Sequence, residues 1–187
     1  MKEEEGLIKK AKNRDSEAFG LLYDQHLPPI YRFILLKTGS KVTAEDLTHQ
    51  VFLNAWQNIE NYQSQGFPFS SWLYRIASNA VIDYYRTDKK HFNLEAIEEP
   101  AASNNLEEKI DQRFEMNLVR TAIKELPDEQ QTIIIMKFVE DLTNKEIAAA
   151  LGKSEGAVKT AQHRSIQNIK KIINGKFEWQ NEYIALS

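Results

Sequence analysis

Apolar positions return every three or four residues along this chain and strict apolar–polar alternation is scarce, so the pattern predicts helices throughout. Leu7, Ala11, Phe19 and Leu22 open the series. Tyr31, Ile34 and Leu35 continue it after Pro28 and Pro29, which are expected to start or kink a helix. Thr43-Ala44-Glu45-Asp46 reads as a capping box with Asp in the place usual for Glu, opening a run that carries Leu47, Val51, Leu53 and Trp56. Gly66 and Pro68 interrupt before Trp72, Ile76, Ala80 and Tyr84 follow at spacing four. The same spacing links Phe114, Leu118, Ala122 and Leu126; Leu126-Pro127 punctuates, and a further apolar helix is expected from Ile133 to Val139. The fold class is all-α.

The strongest local signal lies near the C-terminus. Thr143-Asn144-Lys145-Glu146 is a full capping box, in which the Thr hydroxyl takes an orphan backbone N–H while Glu146 reaches back to the cap. Ile147, Ala148 and Leu151 form a small apolar face, and Gly152 supplies the left-handed residue that ends the helix. Ser154 then caps a second helix with Ala157, Val158 and Ala161 on its inner side. Short helix, glycine turn and second helix make the helix-turn-helix pattern, whose second member is expected to enter a DNA major groove; the other reading is an αα-hairpin with a solvated polar face. Its outer face presents Glu155, Lys159, Thr160, Gln162, His163 and Arg164. Gln and Arg make bidentate contacts to base edges, whereas Lys and Thr suit phosphates.

The total charge counts against that reading, because the 187-residue chain carries a formal charge of −3. The charge is unevenly placed. Residues 93–112 hold one Lys against six acids, together with Pro100 and the polar run Ser103-Asn104-Asn105. This stretch reads as a flexible acidic linker between two small helical domains, since a weakly structured segment of that length is uncommon inside a compact domain. The flanking parts each carry +1, and 143–176 alone holds seven basic residues against Glu146 and Glu155. That local excess supplies sequence-independent attraction to DNA. The expected domains are 1–92 and 113–175, with a tail at 176–187 whose Phe177, Trp179 and Tyr183 pack on the second domain or dock a partner.

In the first domain, residues 67–86 concentrate aromatics beside Arg75 and Arg86. Aromatic faces stack unpaired bases and arginines hold the backbone, which points to single-stranded nucleic acid. Trp72 is expected to be core or shared between core and surface, while Tyr74, Arg75 and Tyr85 lie on other faces and are expected to be exposed.

Taken together, these residues resemble a known family. Ala44-Glu45-Asp46-Leu47-Thr48-His49-Gln50-Val51-Phe52-Leu53-Asn54-Ala55-Trp56 is similar to the polymerase-core-binding helix of sigma factors. Residues 69–86, with Trp72-Leu73, Ile76-Ala77, Asn79, Asp83 and Arg86, resemble their promoter-melting helix, and 126–171 their C-terminal DNA-binding domain. Two domains with a short linker resemble the extracytoplasmic-function (ECF) subgroup. The resemblance implies a transcription initiation factor, not an enzyme, that binds core RNA polymerase and directs it to certain promoters. It implies contact with the beta-prime clamp helices through Asp46, His49, Gln50, Leu53, Asn54 and Trp56. It implies −10 contacts from Asn61, Tyr62, Phe69, Ser70, Trp72, Tyr74, Arg75, Asn79 and Arg86. Contacts to the −35 element would come from Ser154, Glu155, Lys159, Thr160, Gln162, His163 and Arg164. An anti-sigma partner and a cytoplasmic location are further implications.

This chain departs from the common pattern at His49, Gln50 and Asn54, and in the recognition helix at Ala161 and Gln162. No catalytic or cofactor signal competes with that reading. Cysteine is absent, which excludes disulfides and thiol chemistry; His26, His49, His91 and His163 are scattered without a helical metal-ligand pair, and no glycine-rich phosphate loop occurs. The first residues carry Glu3, Glu4 and Glu5 with no apolar core of a signal peptide. No cofactor, metal or small-molecule substrate is expected. Two other classes are a helix-turn-helix regulator with a ligand-sensing first domain and a helical scaffold without nucleic acid.

Overall fold

A computed structural model describes residues 2–88, 119 and 121–185; at 2, 88 and 176–185 it describes the helical backbone alone. The linker expected over 93–112, together with Phe114 and Leu118, lies outside the described residues. What is described is helical, with no β-strand among the described residues.

Four helices form the first unit: α1 (Lys2–Lys12), α2 (Ser16–Thr38), α3 (Lys41–Asn58), which runs into a short 3-10 turn Ile59–Asn61, and α4 (Phe69–Asp88). Asp15 caps α2 by accepting the Ala18 N–H at 3.0 Å. Gly39, at φ +70°, closes it by returning its N–H to the Leu35 carbonyl. Pro28 and Pro29 neither start nor end this helix; both lie inside it, where Leu22, Ile30, Phe33 and Ile34 are buried around them and hold the adjoining turns. The cap of α3 also differs from expectation. Ser40, extended at φ −114°, accepts the Thr43 N–H at 3.3 Å, so Thr43 sits in the first turn and is not the cap. The glycine turn delivers Ser40 directly in cap geometry, and the helix begins three residues earlier.

The core of this unit joins Leu22, Ile30, Phe33 and Ile34 of α2 to Val51, Phe52 and Ala55 of α3, Ile59, and Phe69, Leu73, Ala77 and Val81 of α4. The buried row on α4 is thus offset from the expected one: Trp72, Ile76, Ala80 and Tyr84 flank it, half-buried. The shift arises because α4 packs against α2 and α3 on one side and against the second unit on another, so its apolar arc is wide.

The second unit comprises a helical turn over 121–124, α5 (Asp128–Phe138), α6 (Asn144–Leu151) and α7 (Glu155–Ala185). Ile133, Ile134, Ile135 and Met136 are all buried, with Ala122, Leu126, Leu142, Ile147, Ala148 and Val158 around them. The Thr143 capping box forms as expected, and Gly152, at φ +64°, makes the turn between α6 and α7. Ser154 accepts the Ala157 N–H at 3.2 Å as the cap of α7. Of the three residues expected on its inner side, Val158 is buried and Ala161 half-buried, but Ala157 faces outward. The backbone of the expected tail continues α7 as one helix to Ala185.

His26 is buried in the first unit, its ring 2.9 Å from Glu4 of α1 and edge-on to Phe69 of α4. Burial holds its pKa below the ordinary 6.5, against the opposing hydrogen bond and charge of Glu4. A lowered folded-state pKa means the fold favours the neutral ring, so this stability is present above 6.5 and is lost as pH falls through the folded value. Melting temperature is therefore expected to fall more steeply on acidification in the wild type than in His26→Gln. Glu4, Arg32, Tyr74, Glu140 and Asp141, which surround the ring or line the adjoining cavity, are common to both proteins. Parallel slopes between about pH 7 and pH 5 would remove His26 from the acid response.

Candidate nucleic-acid interface

Helix α3 turns Ala44, Leu47, Thr48, Val51 and Ala55 inward, which leaves Asp46, His49, Gln50, Leu53 and Asn54 on one exposed face. Two large apolar side chains are conspicuous there: Val42 is 69% exposed and Leu53 50% exposed. Trp56 belongs to the other side. Its half-buried ring packs on Phe19 at 4.9 Å and lies under the Arg14 guanidinium at 5.4 Å, so it supports α3 against α2.

The residues expected at the −10 element divide by burial. Asn61, Asn79 and Arg86 are exposed, Arg86 pairing with Asp83 at 3.1 Å, and Ser70 is half-buried. Tyr62, Phe69 and Trp72 form one aromatic cluster: Tyr62 lies 5.2 Å from Phe69 and 5.0 Å from Trp72, and Phe69 lies 5.5 Å from Trp72. Tyr62 and Phe69 are buried in this arrangement and Trp72 is the partly exposed member, as its expected shared role requires. Tyr74 corrects the expectation of exposure. It is 2% exposed, edge-on to Phe33 at 5.5 Å, and its hydroxyl donates to Glu140 at 3.1 Å. Burial and the Glu140 carboxylate both push its pKa up. Arg75 is exposed, yet its guanidinium donates to the carbonyls of Ala149 and Ala150 in the second unit. Tyr85, also exposed, donates to the Lys37 carbonyl at 2.7 Å.

On α7, Ser154, Glu155, Lys159, Thr160, His163 and Arg164 are all exposed, and Gln162 is half-buried. Lys159 pairs with Glu155 at 2.9 Å, which holds the Glu155 carboxyl below its usual range, and Thr160 donates to the Gly156 carbonyl at 2.9 Å. Packing against α5 and α6 leaves this outer face open in the usual position of a recognition helix. The Ser154 hydroxyl is committed to its cap.

Four residues that the sequence reading missed join the units. Arg32 makes two hydrogen bonds of 2.7 Å to Glu140, and Lys37 pairs with Asp128. Each pair lies more than 90 positions apart, so no local spacing could reveal it. A cavity of about 250 Å³ beside them is lined by His26, Arg32, Tyr74 and Glu140 among others. Among the described residues no group of three His, Asp or Glu side chains is gathered as metal ligands would be, and no helix is long and apolar enough to cross a membrane.

Residues 22–91 match the family Sigma-70 region 2, and residues 116–169 match Sigma-70, region 4. The ECF RNA polymerase sigma factor SigW of Bacillus subtilis is 31% identical over 88% of this chain and 93% of its own length. The chain belongs to the ECF RNA polymerase sigma factors. The ECF sigma factor BldN of Streptomyces coelicolor is also 31% identical, over 89% of this chain; the match spans 64% of BldN. Among solved structures, CnrH in complex with the cytosolic domain of CnrY superimposes with a TM-score of 0.72, over 92% of this sigma factor and 98% of that chain, at 21% identity. The sigma factor RpoE of Bartonella quintana, solved with the anti-sigma factor NepR, gives 0.66 over 83% of this chain and 96% of its own, at 20% identity. These two establish the shared helical fold. In this sigma factor α1 lies outside the matched region, yet Lys12 donates to the Tyr62 carbonyl at 2.8 Å and Arg14 pairs with Glu60.

Proposed function

We propose that this chain is a transcription initiation factor that docks on core RNA polymerase and directs it to particular promoters. The observation that carries the reading is the pairing of two open faces on one chain of this family: the α3 face around Leu53 and the α7 face around Arg164. The first meets the clamp helices of the beta-prime subunit, and the second reads the −35 element as duplex in the major groove. The partly exposed Trp72 of the cluster with Tyr62 and Phe69 receives bases of the −10 element once they leave the duplex, and the exposed Asn61, Asn79 and Arg86 add further contacts to that strand. Domains at 1–92 and 113–175 divide these tasks, joined by the acidic segment 93–112. Phosphodiester chemistry stays in the polymerase, so this chain is no enzyme and works in the cytoplasm. An anti-sigma factor controls it, in the manner that the NepR complex of RpoE suggests.

The test is promoter-dependent runoff transcription by bacterial core polymerase, with and without this chain, on a library of genomic promoters. Stimulation of a defined subset is expected; no stimulated promoter in the library would sink the reading. On a responding promoter, Arg164→Ala should weaken −35 duplex binding by roughly 5- to 150-fold, the span of a lost bidentate base contact of about 1–3 kcal/mol. Unchanged duplex affinity would take Arg164 out of the reading face.

A further inference from the structure

Helix α1 and the turn after it grip the segment that joins α3 to α4. Short backbone turns tie that segment internally: the Tyr62 N–H donates to the Ile59 carbonyl at 3.1 Å and the Phe67 N–H to the Ser64 carbonyl at 2.7 Å. Gln65 and Gly66 then take left-handed geometry at φ +46° and +79°. The Tyr62 carbonyl is met from outside, by the ammonium of the half-buried Lys12 at 2.8 Å. Arg14 holds the stretch just before it, donating to the Trp56 carbonyl at 3.0 Å and pairing with Glu60. Its own φ of +64° is left-handed backbone, which strains a residue with a Cβ and which glycine adopts freely. The strained position thus belongs to the side chain that spans α3 and Glu60. From the other side Glu4 bonds His26, whose ring meets Phe69, so α1 reaches the Tyr62, Phe69 and Trp72 cluster twice.

Resting on the sigma-factor reading, we infer that Lys12 and Arg14 are positioning residues for capture of the −10 strand: they fix the 59–66 segment so that Tyr62 backs Trp72 before an unstacked base arrives. The Tyr62 ring lies 5.0 Å from Trp72, so a shift of the Tyr62 backbone moves the wall behind the indole. A surface ordered beforehand spares the strand the cost of ordering it on binding. Neither residue has to touch DNA for this. Ala11 is fully buried and Leu7 and Ile8 pack on the same core, so α1 stays seated when the end groups of Lys12 or Arg14 are removed. What is lost then is the hold on the segment, whose Tyr62 carbonyl must turn to water.

The test uses the full chain, free and bound to core polymerase. Lys12→Met keeps the apolar stem and removes the donor; Arg14→Gly removes the guanidinium and relieves the backbone, so denaturant midpoints should stay close to the wild type. In the free chain, amide exchange over 60–67 should quicken about 3- to 10-fold. With core polymerase, each variant should bind a single-stranded −10 oligonucleotide about 3- to 10-fold more weakly and open a responding promoter more slowly to the same degree, the span of ordering one or two side chains on binding. Core affinity and −35 duplex binding should be unchanged. Lys12→Arg, which still offers a donor, should recover most of the loss, and Lys9→Met, exposed on the same helix, should match the wild type throughout. Unaltered exchange over 60–67 would overturn the hold itself. Faster exchange with undiminished oligonucleotide affinity and opening would confine Lys12 and Arg14 to local packing and overturn the inference. Failure of the sigma reading is separate: the wild type then stimulates no promoter while exchange still responds to Lys12→Met, and the role in strand capture falls with that reading.

Discussion

Leu53→Asp is expected to weaken capture of core RNA polymerase by about 30- to 1,000-fold, the range of an interface anchor worth about 2–4 kcal/mol, while the chain stays folded. The separation of effects follows from the helix. Leu53 points away from the row Leu47, Val51 and Ala55 that fills the core, and half its surface already meets water. An acidic side chain there costs the fold little, since exposed substitutions usually stay within about 0.5 kcal/mol. In a docked complex the same carboxylate would be desolvated without a partner beside Asp46, and that is costly. Binding of labelled chain to core polymerase, followed by anisotropy, gives the affinity; a melting curve checks the fold. Full affinity in a folded Leu53→Asp protein would place the docking surface elsewhere. Trp56, expected on this face, packs its ring on Phe19, so its loss would disturb α3 itself.

The elements legible in the sequence are those whose determinants are local. Thr143 and Glu146 stand three residues apart, satisfy each other's backbone, and need nothing distant, so the start of α6 was readable, as was the Gly152 turn. At α3 two hydroxyl residues, Ser40 and Thr43, compete for one cap, and the choice fell to Ser40 because Gly39 before it adopts the left-handed turn. Pro28 and Pro29 carry a strong local signal that packing overrides: the buried side chains on either side keep α2 continuous. Tyr74 fails for a different reason. Helical spacing placed it off the expected row correctly, but its burial comes from Phe33 in another helix and Glu140 in another unit. The ion pairs that join the two units were invisible for the same cause, since charged residues at 32, 37, 128 and 140 read individually as solvated surface.

The aromatic cluster shows how burial decides what a substitution reports. Phe69 and Trp72 lie 5.5 Å apart on the first turn of α4 and share Tyr62 as a neighbour. Phe69 is 2% exposed and also meets His26, so Phe69→Ala empties a filled site and is expected to cost about 3–5 kcal/mol of stability, a large part of a domain's total. Its effect on transcription should follow from unfolding. Trp72 keeps part of its ring at the surface, where a base leaving the duplex can stack. Trp72→Ala is expected to slow promoter opening by roughly 5- to 150-fold, corresponding to one stacked base at about 1–3 kcal/mol. Its −35 duplex affinity and core binding should be retained, and Trp72→Phe should recover much of the opening rate by keeping an aromatic face. Opening is read by permanganate reactivity of unpaired thymines, stability by denaturant midpoint. If Trp72→Ala loses stability as Phe69→Ala does, and opens promoters normally once stability is restored by lower temperature, the cluster is core alone and base capture lies with Asn61, Asn79 and Arg86.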